Sequence, residues 1–462
     1  MRNRALVVVT AITSVVIGAR SDAATPSNGN DRQLPTVYTP TKMNLYTSYC
    51  GLWRTDASYE STIRLSNQLA ISGIDANVTL FMADGTAYAL PLVHLDKSGV
   101  STVDINAALA AAPDSVRPHL SSYGSASVSY KYDWQGVVYA FMSILDIPRS
   151  LQYSYPFMFP MNGSMQMDAK SKAMPAMTTE EGLIWRYSRQ SDAFLSFANT
   201  SNRPINTDIT VLNGDGEVSQ VRHFSVPAMN TVLINLGLGK EEPGLGAEDE
   251  LVRRTPAGVR VSFDADSDSL QIVGGIEDAK YGYSANLPIG PGPDPAKAGD
   301  ATTNSFASAG VMVGAQDPMM GFPEKLRFEP YAYFRNAGTR ALQLSGKVFY
   351  VRGGKTQSMD LPVLELRPNQ ARKLDVADAI RSLGLNGAVT LAFSYQGQSG
   401  ALLVSTGSVD QSGNYVFAVM PRATGQSASK SSIFWTTANG FDTMYSVWNS
   451  QDEPQDVLFT FQ

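Results

Sequence analysis

Cysteine is almost missing from this chain: among its 462 residues Cys50 stands alone. One thiol excludes an internal disulfide framework, so the domains must hold together by packing. No histidine or second cysteine lies near it to activate a nucleophile. The preceding Thr47-Ser48-Tyr49 lacks the small apolar character of a lipoprotein cleavage site. Cys50 is therefore read as a strand residue. Histidine is also scarce. His94, His119 and His223 are the only three, and none sits in a zinc spacing such as HExxH. Charge is thin at 17%, with 36 basic and 42 acidic residues, a net charge of −6 and no long block of either sign. A nucleic-acid surface needs a basic stripe to release counterions, and none is present. The chain also lacks a GxSxG elbow, a P-loop and a dinucleotide fingerprint. These gaps argue against catalysis, although a carboxylate-pair hydrolase needs no local motif and stays open on sequence grounds.

What the chain has is a repeat. Asp146, Asp278 and Asp410 follow one another at intervals of 132 residues, and each closes an apolar strand-like run. Trp53 and Trp185 share that spacing, as do Asn67 and Asn199. A fixed period marks one structural unit copied along a chain. The units are rich in turn formers, with 38 Gly and 25 Pro over the whole sequence, and 43% of residues are hydrophobic. In the first unit Ser61–Asn67 alternates around Ile63 and Leu65, the period of a half-buried strand. Asn77–Met82 leads into the Asp84-Gly85 turn, and Tyr88–Leu95 carries Pro91, which places it at an edge or bulge. The Ala-rich Asn106–Ala112 predicts a short crossover helix. Ser125–Tyr132 and Val137–Ile144 read as a closing hairpin, with Tyr153–Phe159 as a last strand. The other units follow the same order, and short strands with turn signals about every 8–12 residues indicate a β-sandwich.

The expected organisation is all-β: tandem Ig-like β-sandwich domains, three complete and a fourth truncated. Residues 1–23 read as a signal peptide, with Arg2 and Arg4 before the apolar run Ala5–Ala19 and small residues at Ser21-Asp22-Ala23. Residues 24–50 form an N-terminal linker and 51–160 the first sandwich. A Met/Ser/Thr-rich linker covers 161–182, and the second sandwich covers 183–289. A Pro/Gly/Ala-rich linker at 290–327 precedes the third sandwich, 328–422. Residues 423–432 link to the fourth, 433–462. Its second strand meets Gln462, as expected for a piece of a longer protein; strands supplied by a partner are the other option. No second apolar stretch reaches spanning length, so no transmembrane span is expected in the mature chain.

Three constellations invite a ligand. Tyr130, Tyr132 and Trp134 alternate, which puts three rings on one face of a strand, where an exposed ladder would stack on sugars. Strand preference and core packing explain the same residues. Asp264, Asp266 and Asp268 alternate too, and hard carboxylate oxygens suit calcium. Ser269 and Gly275 stand where an EF-hand loop needs Gly and Glu, and Asp and Ser are ordinary turn formers. Met158, Met161, Met165, Met167, Met174 and Met177 offer soft thioethers of the kind that bind Cu(I), without a supporting His or Cys. The recurrent Asp146, Asp278 and Asp410 read as turn or capping residues.

The runs Ile63–Asn67 (IRLSN), Val78–Gly85 (VTLFMADG) and Gly407–Arg422 (GSVDQSGNYVFAVMPR) resemble secreted Ig-like repeat proteins of environmental bacteria. The resemblance spans most of the chain after about residue 50. It implies a scaffold at the cell surface, in the periplasm or outside the cell, and carries no catalytic residues. The expected role is non-catalytic adhesion, spacing or scaffolding against an extracellular polysaccharide or protein surface, without a cofactor. The alternative is a carbohydrate-binding module array belonging to a larger secreted enzyme.

Overall fold

Alternation of apolar and polar residues builds the sheets. In the strand Tyr59–Asn67, the side chains of Tyr59, Ser61, Ile63 and Leu65 are buried while Glu60, Thr62 and Arg64 point away from the core. Ile74–Met82 buries Ile74, Ala76, Val78, Leu80 and Met82 in the same way. Period-two burial gives each sheet one apolar face, which must be covered by another layer. The computed structural model describes residues 43–149, 151–159, 177–186, 191–237, 256–278, 282–294, 302–315, 326–410, 416–424 and 448–449. Strands make up 64% of it and helix 6%, arranged in several antiparallel sheets, an all-β sandwich fold.

Among the described residues the sheets group into three sets of strands that follow one order. In the first, the front sheet runs Asn44–Arg54, Tyr123–Tyr132, Ile74–Met82, with Ala87–Ala89 and Val93–Leu95 both pairing with Ile74–Met82. Its back sheet runs Val100–Asp104, Tyr59–Asn67, Val138–Asp146, Leu151–Pro156. In the second, the front sheet is Ile289–Pro291, Thr178–Ile184, Ala257–Phe263, Ile205–Leu212, Val218–Val226. The back sheet is Thr231–Asn235, Asp192–Asn199, Leu270–Asp278, Tyr283–Asn286. In the third, Thr302–Ala315, Gly387–Gly397, Leu342–Arg352 and Lys355–Leu366 form the front. Ala371–Leu374, Arg327–Asn336, Leu402–Asp410 and Val416–Val419 form the back. Here the end of Thr302–Ala315 also pairs with Arg327 and Phe328, which joins front and back into one continuous sheet.

Each unit closes around its own apolar cluster. Ile63, Val78, Val128 and Met142 lie in the first, Phe197, Ile209, Val261 and Ile276 in the second, and Phe334, Val348, Leu391 and Phe393 in the third. The short crossover helix appears at Ile105–Ala110, capped by Asp104, whose side chain accepts a hydrogen bond from the Ala107 amide. Val376–Ile380 is its counterpart in the third unit, capped by Asp375. Pro91 falls in the break between Ala87–Ala89 and Val93–Leu95, as its missing N–H requires. Cys50 is a buried strand residue.

Two expectations are corrected. Tyr123–Tyr132 and Val138–Asp146 are not a hairpin: one lies in the front sheet and the other in the back, facing each other across the core. Ala257–Phe263 and Leu270–Asp278 are divided likewise, so Asp264–Asp268 lies at a corner between sheets. The apolar alternation of a hairpin and of a sandwich corner is the same, and only the pairing partner distinguishes them. The linkers are also shorter than expected. Asn44–Arg54, Thr178–Ile184 and Thr302–Ala315 are the first front strands of their units, and Ile289–Pro291 is a last one; Thr302–Ala315 lies wholly, and the others partly, inside segments read as linkers. Their Gly, Ala, Ser and Thr content hides the strand signal, because burial here comes from neighbouring sheets and not from large side chains. Residues 1–42, most of the Met-rich tract and nearly all of 425–462 lie outside the described residues.

Candidate functional site

Tyr130 and Tyr132 share a strand face, but it is the inner one. Tyr130 and Tyr132 are buried in the first core. The Tyr130 hydroxyl accepts the Gly136 amide at 2.8 Å. Trp134, past the strand end, is the one exposed ring of the set and meets Tyr132 edge-on at 4.7 Å. The expected outward ladder is therefore not formed. Alternation fixes a common face without saying which side faces water.

The three aspartates are not brought together either. Asp264 Oδ1 accepts the Asn206 amide and Oδ2 its side-chain amide, both at 2.8 Å. Asp266 precedes the turn Ser267–Ser269, and Asp268 lies within it. Among the described residues no group of three or more His, Cys, Asp or Glu side chains converges as a metal site would. Of the methionines, Met158 and Met177 are described and both are exposed; the others in the tract lie outside the described residues.

Each histidine pairs with one aspartate through Nδ1: His94 with Asp75 at 2.7 Å, His119 with Asp84 at 2.7 Å and His223 with Asp208 at 2.6 Å. All three pairs are solvent-exposed. Asp75–His94 and Asp208–His223 are cross-strand neighbours at matching places in two units. The Asp75 hydrogen bond raises the pKa of His94. Among the described residues none of the three imidazoles bonds a hydroxyl or thiol, and each stands as an exposed His–Asp pair.

The recurrent polar residues serve architecture. Asp146 is fully buried and accepts Ser58 Oγ at 2.7 Å and the Arg149 amide at 3.0 Å. Burial alone would raise its pKa, yet the hydrogen bonds from Ser58 and Arg149 outweigh it and hold the carboxyl low. Asp278, also buried, accepts Ser191 Oγ at 3.0 Å. Asn67, Asn199 and Asn336 end the second strand of each unit. Each donates its amide to the next loop and to the strand end or turn before the following back-sheet strand, through Ser72 and Asp96, Arg203 and Val226, Arg340 and Leu366. Each also accepts an amide two residues on, from Leu69, Ser201 or Gly338.

The densest chemistry lies at the seams between units. In both, the outer face of one front sheet meets the back sheet of the next: Asn44–Arg54 packs on Asp192–Asn199 and Leu270–Asp278, while Thr178–Ile184 packs on Leu402–Asp410. At the first seam Ser196 Oγ donates to Gly51 O at 2.7 Å, and a Cβ on Gly51 would press on Gln271. Glu277 accepts the hydroxyls of Tyr59 at 2.8 Å and Tyr153 at 3.0 Å. Arg54, held by Asp56, stacks over Tyr59 at 4.0 Å. Burial, together with Glu277, pushes the Tyr153 hydroxyl well above the usual phenol range. Ser284 bonds both backbone groups of Gln152, and Asn286 both of Ser154, so residues one repeat apart complete a strand edge.

The second seam is ionic at its centre. Arg335, with no solvent exposure, donates to Glu181 Oε2 at 2.6 Å, Gly182 O at 2.9 Å and Val259 O at 3.2 Å. Arg260 takes Oε1 of the same carboxylate at 2.6 Å and reaches Asn369 at 2.7 Å. Gly258 is required here, since a Cβ would collide with the Arg335 guanidinium. Burial pulls the pKa of Arg335 down, and Glu181 pulls against it. Beside this cluster Trp185 lies stacked on Tyr333 at 5.1 Å and tilted on Tyr331 at 4.8 Å.

One further contact recurs at both seams. The turns at Asp84-Gly85 and Asp215-Gly216 touch the next unit, where Thr231 N donates to Ala83 O at 3.1 Å and Ala371 N to Gly214 O at 2.9 Å. The touched turns carry left-handed residues at matching places, Met229 and Asn369, both with φ of 62°. Sequence reading passed over these seams. The available signal was a charge inside an apolar run, Glu181 before Gly182-Leu183-Ile184-Trp185 and Arg335 after Tyr331-Ala332-Tyr333-Phe334. No family model matches the chain, and no curated protein matches it either.

Proposed function

We propose that the chain is a non-catalytic spacer or scaffold that acts outside the cell or at its surface. The observation carrying this reading is the repetition of the seam. Buried polar groups, which elsewhere would build a site, here connect one sandwich to the next in the same front-to-back manner. A string of units fixed in this way holds distance and orientation, which loosely jointed domains do not. Its surface would meet an extracellular polysaccharide or protein. Small-angle scattering of the purified chain tests the spacer reading: the profile should fit one rigid arrangement, and a broad ensemble of bent shapes would count against it. A screen on glycosides, esters and peptides tests the non-catalytic part, since reproducible turnover of any of them would overturn it.

Trp134 keeps a second reading in view, that of a carbohydrate-binding array. Its ring is 46% exposed and braced by Tyr132. One aromatic ring contributes about 1 kcal/mol and not the affinity of a platform. Retention on insoluble polysaccharide should therefore be unchanged by Trp134→Ala; a clear loss of retention would favour the array.

A further inference from the structure

In the third unit the outer face of the front sheet is covered, although no complete back sheet follows it among the described residues. Along Thr302–Ala315, Phe306, Val311 and Val313 turn toward the core. Ala307 and Ala309 alternate with them and face outward, yet they are 1% and 4% exposed. Thr390, paired with Ala309 across the sheet, is 7% exposed. These small residues match the seam faces of the earlier units, where Gly51 and Gly258 allow close approach. On the same sheet the Phe349 ring meets Trp448 at 5.4 Å.

The sequence around Trp448 says what the covering segment is. Tyr445-Ser446-Val447-Trp448-Asn449 aligns with Ala332-Tyr333-Phe334-Arg335-Asn336 and with Leu195-Ser196-Phe197-Ala198-Asn199. Trp448 then stands at the position of Arg335, the residue driven into the preceding front sheet at the second seam. We infer that residues 433–462 dock on the outer face of the third front sheet and begin a third seam, with Trp448 seated on Phe349 as its anchor. An apolar ring suits this position because the face beneath it offers Phe349 and small side chains in place of the Glu181 carboxylate. At Gly353 and Gly354, the turn that touches the next unit in the earlier seams, an added Cβ would meet nothing within 4 Å among the described residues.

Thiol labelling of the 462-residue chain tests this. Cys50 is a silent background, because it is buried and burial pushes its thiol up to about 12. A Phe349→Cys variant should label slowly, and adding Trp448→Ala should raise its rate about tenfold or more by opening the cover. Val351→Cys, on the same strand at a position 68% exposed, should label at a rate that Trp448→Ala leaves unchanged. A rise at both positions, or at neither, overturns the inference. The double variant Phe349→Cys/Trp448→Cys should form an intramolecular bridge at a yield independent of protein concentration. Bridged dimers would instead assign the face to a second copy and overturn it, as would the absence of any bridge.

Discussion

The asparagine ending the second strand of each unit shows how much one side chain can organise. Asn199 donates to Arg203, Val226 and Pro227 carbonyls and accepts the Ser201 amide, so removing it leaves several buried backbone groups without partners. Asn199→Ala should cost about 1–3 kcal/mol, read as a lower denaturant midpoint with an unchanged slope. A neutral result would mean that water replaces the amide and that the motif is dispensable. Glu180 offers a residue-scale test in pH. It sits half-buried opposite Val261, and burial pushes its carboxyl up to about 7 from an ordinary 4.5. Below 4.5 the group is neutral in both folded and unfolded chains. As pH rises from there to about 7, the unfolded chain releases the proton while the folded chain keeps it, so stability falls across that window. Glu180→Gln should remove this slope from the pH dependence of Tm. An unchanged slope would show that the carboxyl ionises normally. The 132-residue spacing made Asn67 and Asn199 legible as structural marks. The pairing of Glu181 with Arg335 was not, because nothing in a linear pattern connects residues in different repeats.

Elements were legible where alternation alone defines them, as in Tyr59–Asn67 and Ile74–Met82. They were misread where two strands of similar pattern belong to different sheets, as with Tyr123–Tyr132 and Val138–Asp146. Thr302–Ala315 went unread because its small residues resemble a linker, and its outer face makes sense only with something lying on it. An element also has edges, which no hydrophobic pattern reports. Leu151–Pro156 pairs with Val138–Asp146 on one side, and on the other its Gln152 and Ser154 backbone groups are met by Ser284 and Asn286. A free edge of this kind invites pairing with another chain, and the next unit's side chains block it. Ser284→Ala with Asn286→Ala should therefore lower stability by about 1–3 kcal/mol and raise self-association, followed by light scattering at increasing concentration. A variant that is less stable but strictly monomeric would confine the two residues to an energetic role.

At the scale of the whole molecule the question is whether the units act as one body, and Arg335 decides it. A buried guanidinium that loses nothing to solvent and shares a carboxylate with Arg260 is costly to assemble, since two charges must leave water for each pair formed. Truncating one partner exposes that cost. Arg335→Ala leaves Glu181 in the seam with Arg260 alone and opens the space beside Gly258, and it should destabilise the seam by about 3–5 kcal/mol. Among the described residues the first unit contributes no side chain to this cluster, so the loss should appear as a separate early unfolding step of the second and third units, with the first following at a lower midpoint for want of its own seam contacts. Arg335→Met, which keeps an unbranched side chain and drops the charge, should recover part of the loss by filling the space beside Gly258, although the Glu181 charge remains. If Arg335→Ala instead unfolded in a single transition at the wild-type midpoint, the ion pair would be incidental. The aromatic stack of Trp185 on Tyr331 and Tyr333 would then be what holds the second and third sandwiches together.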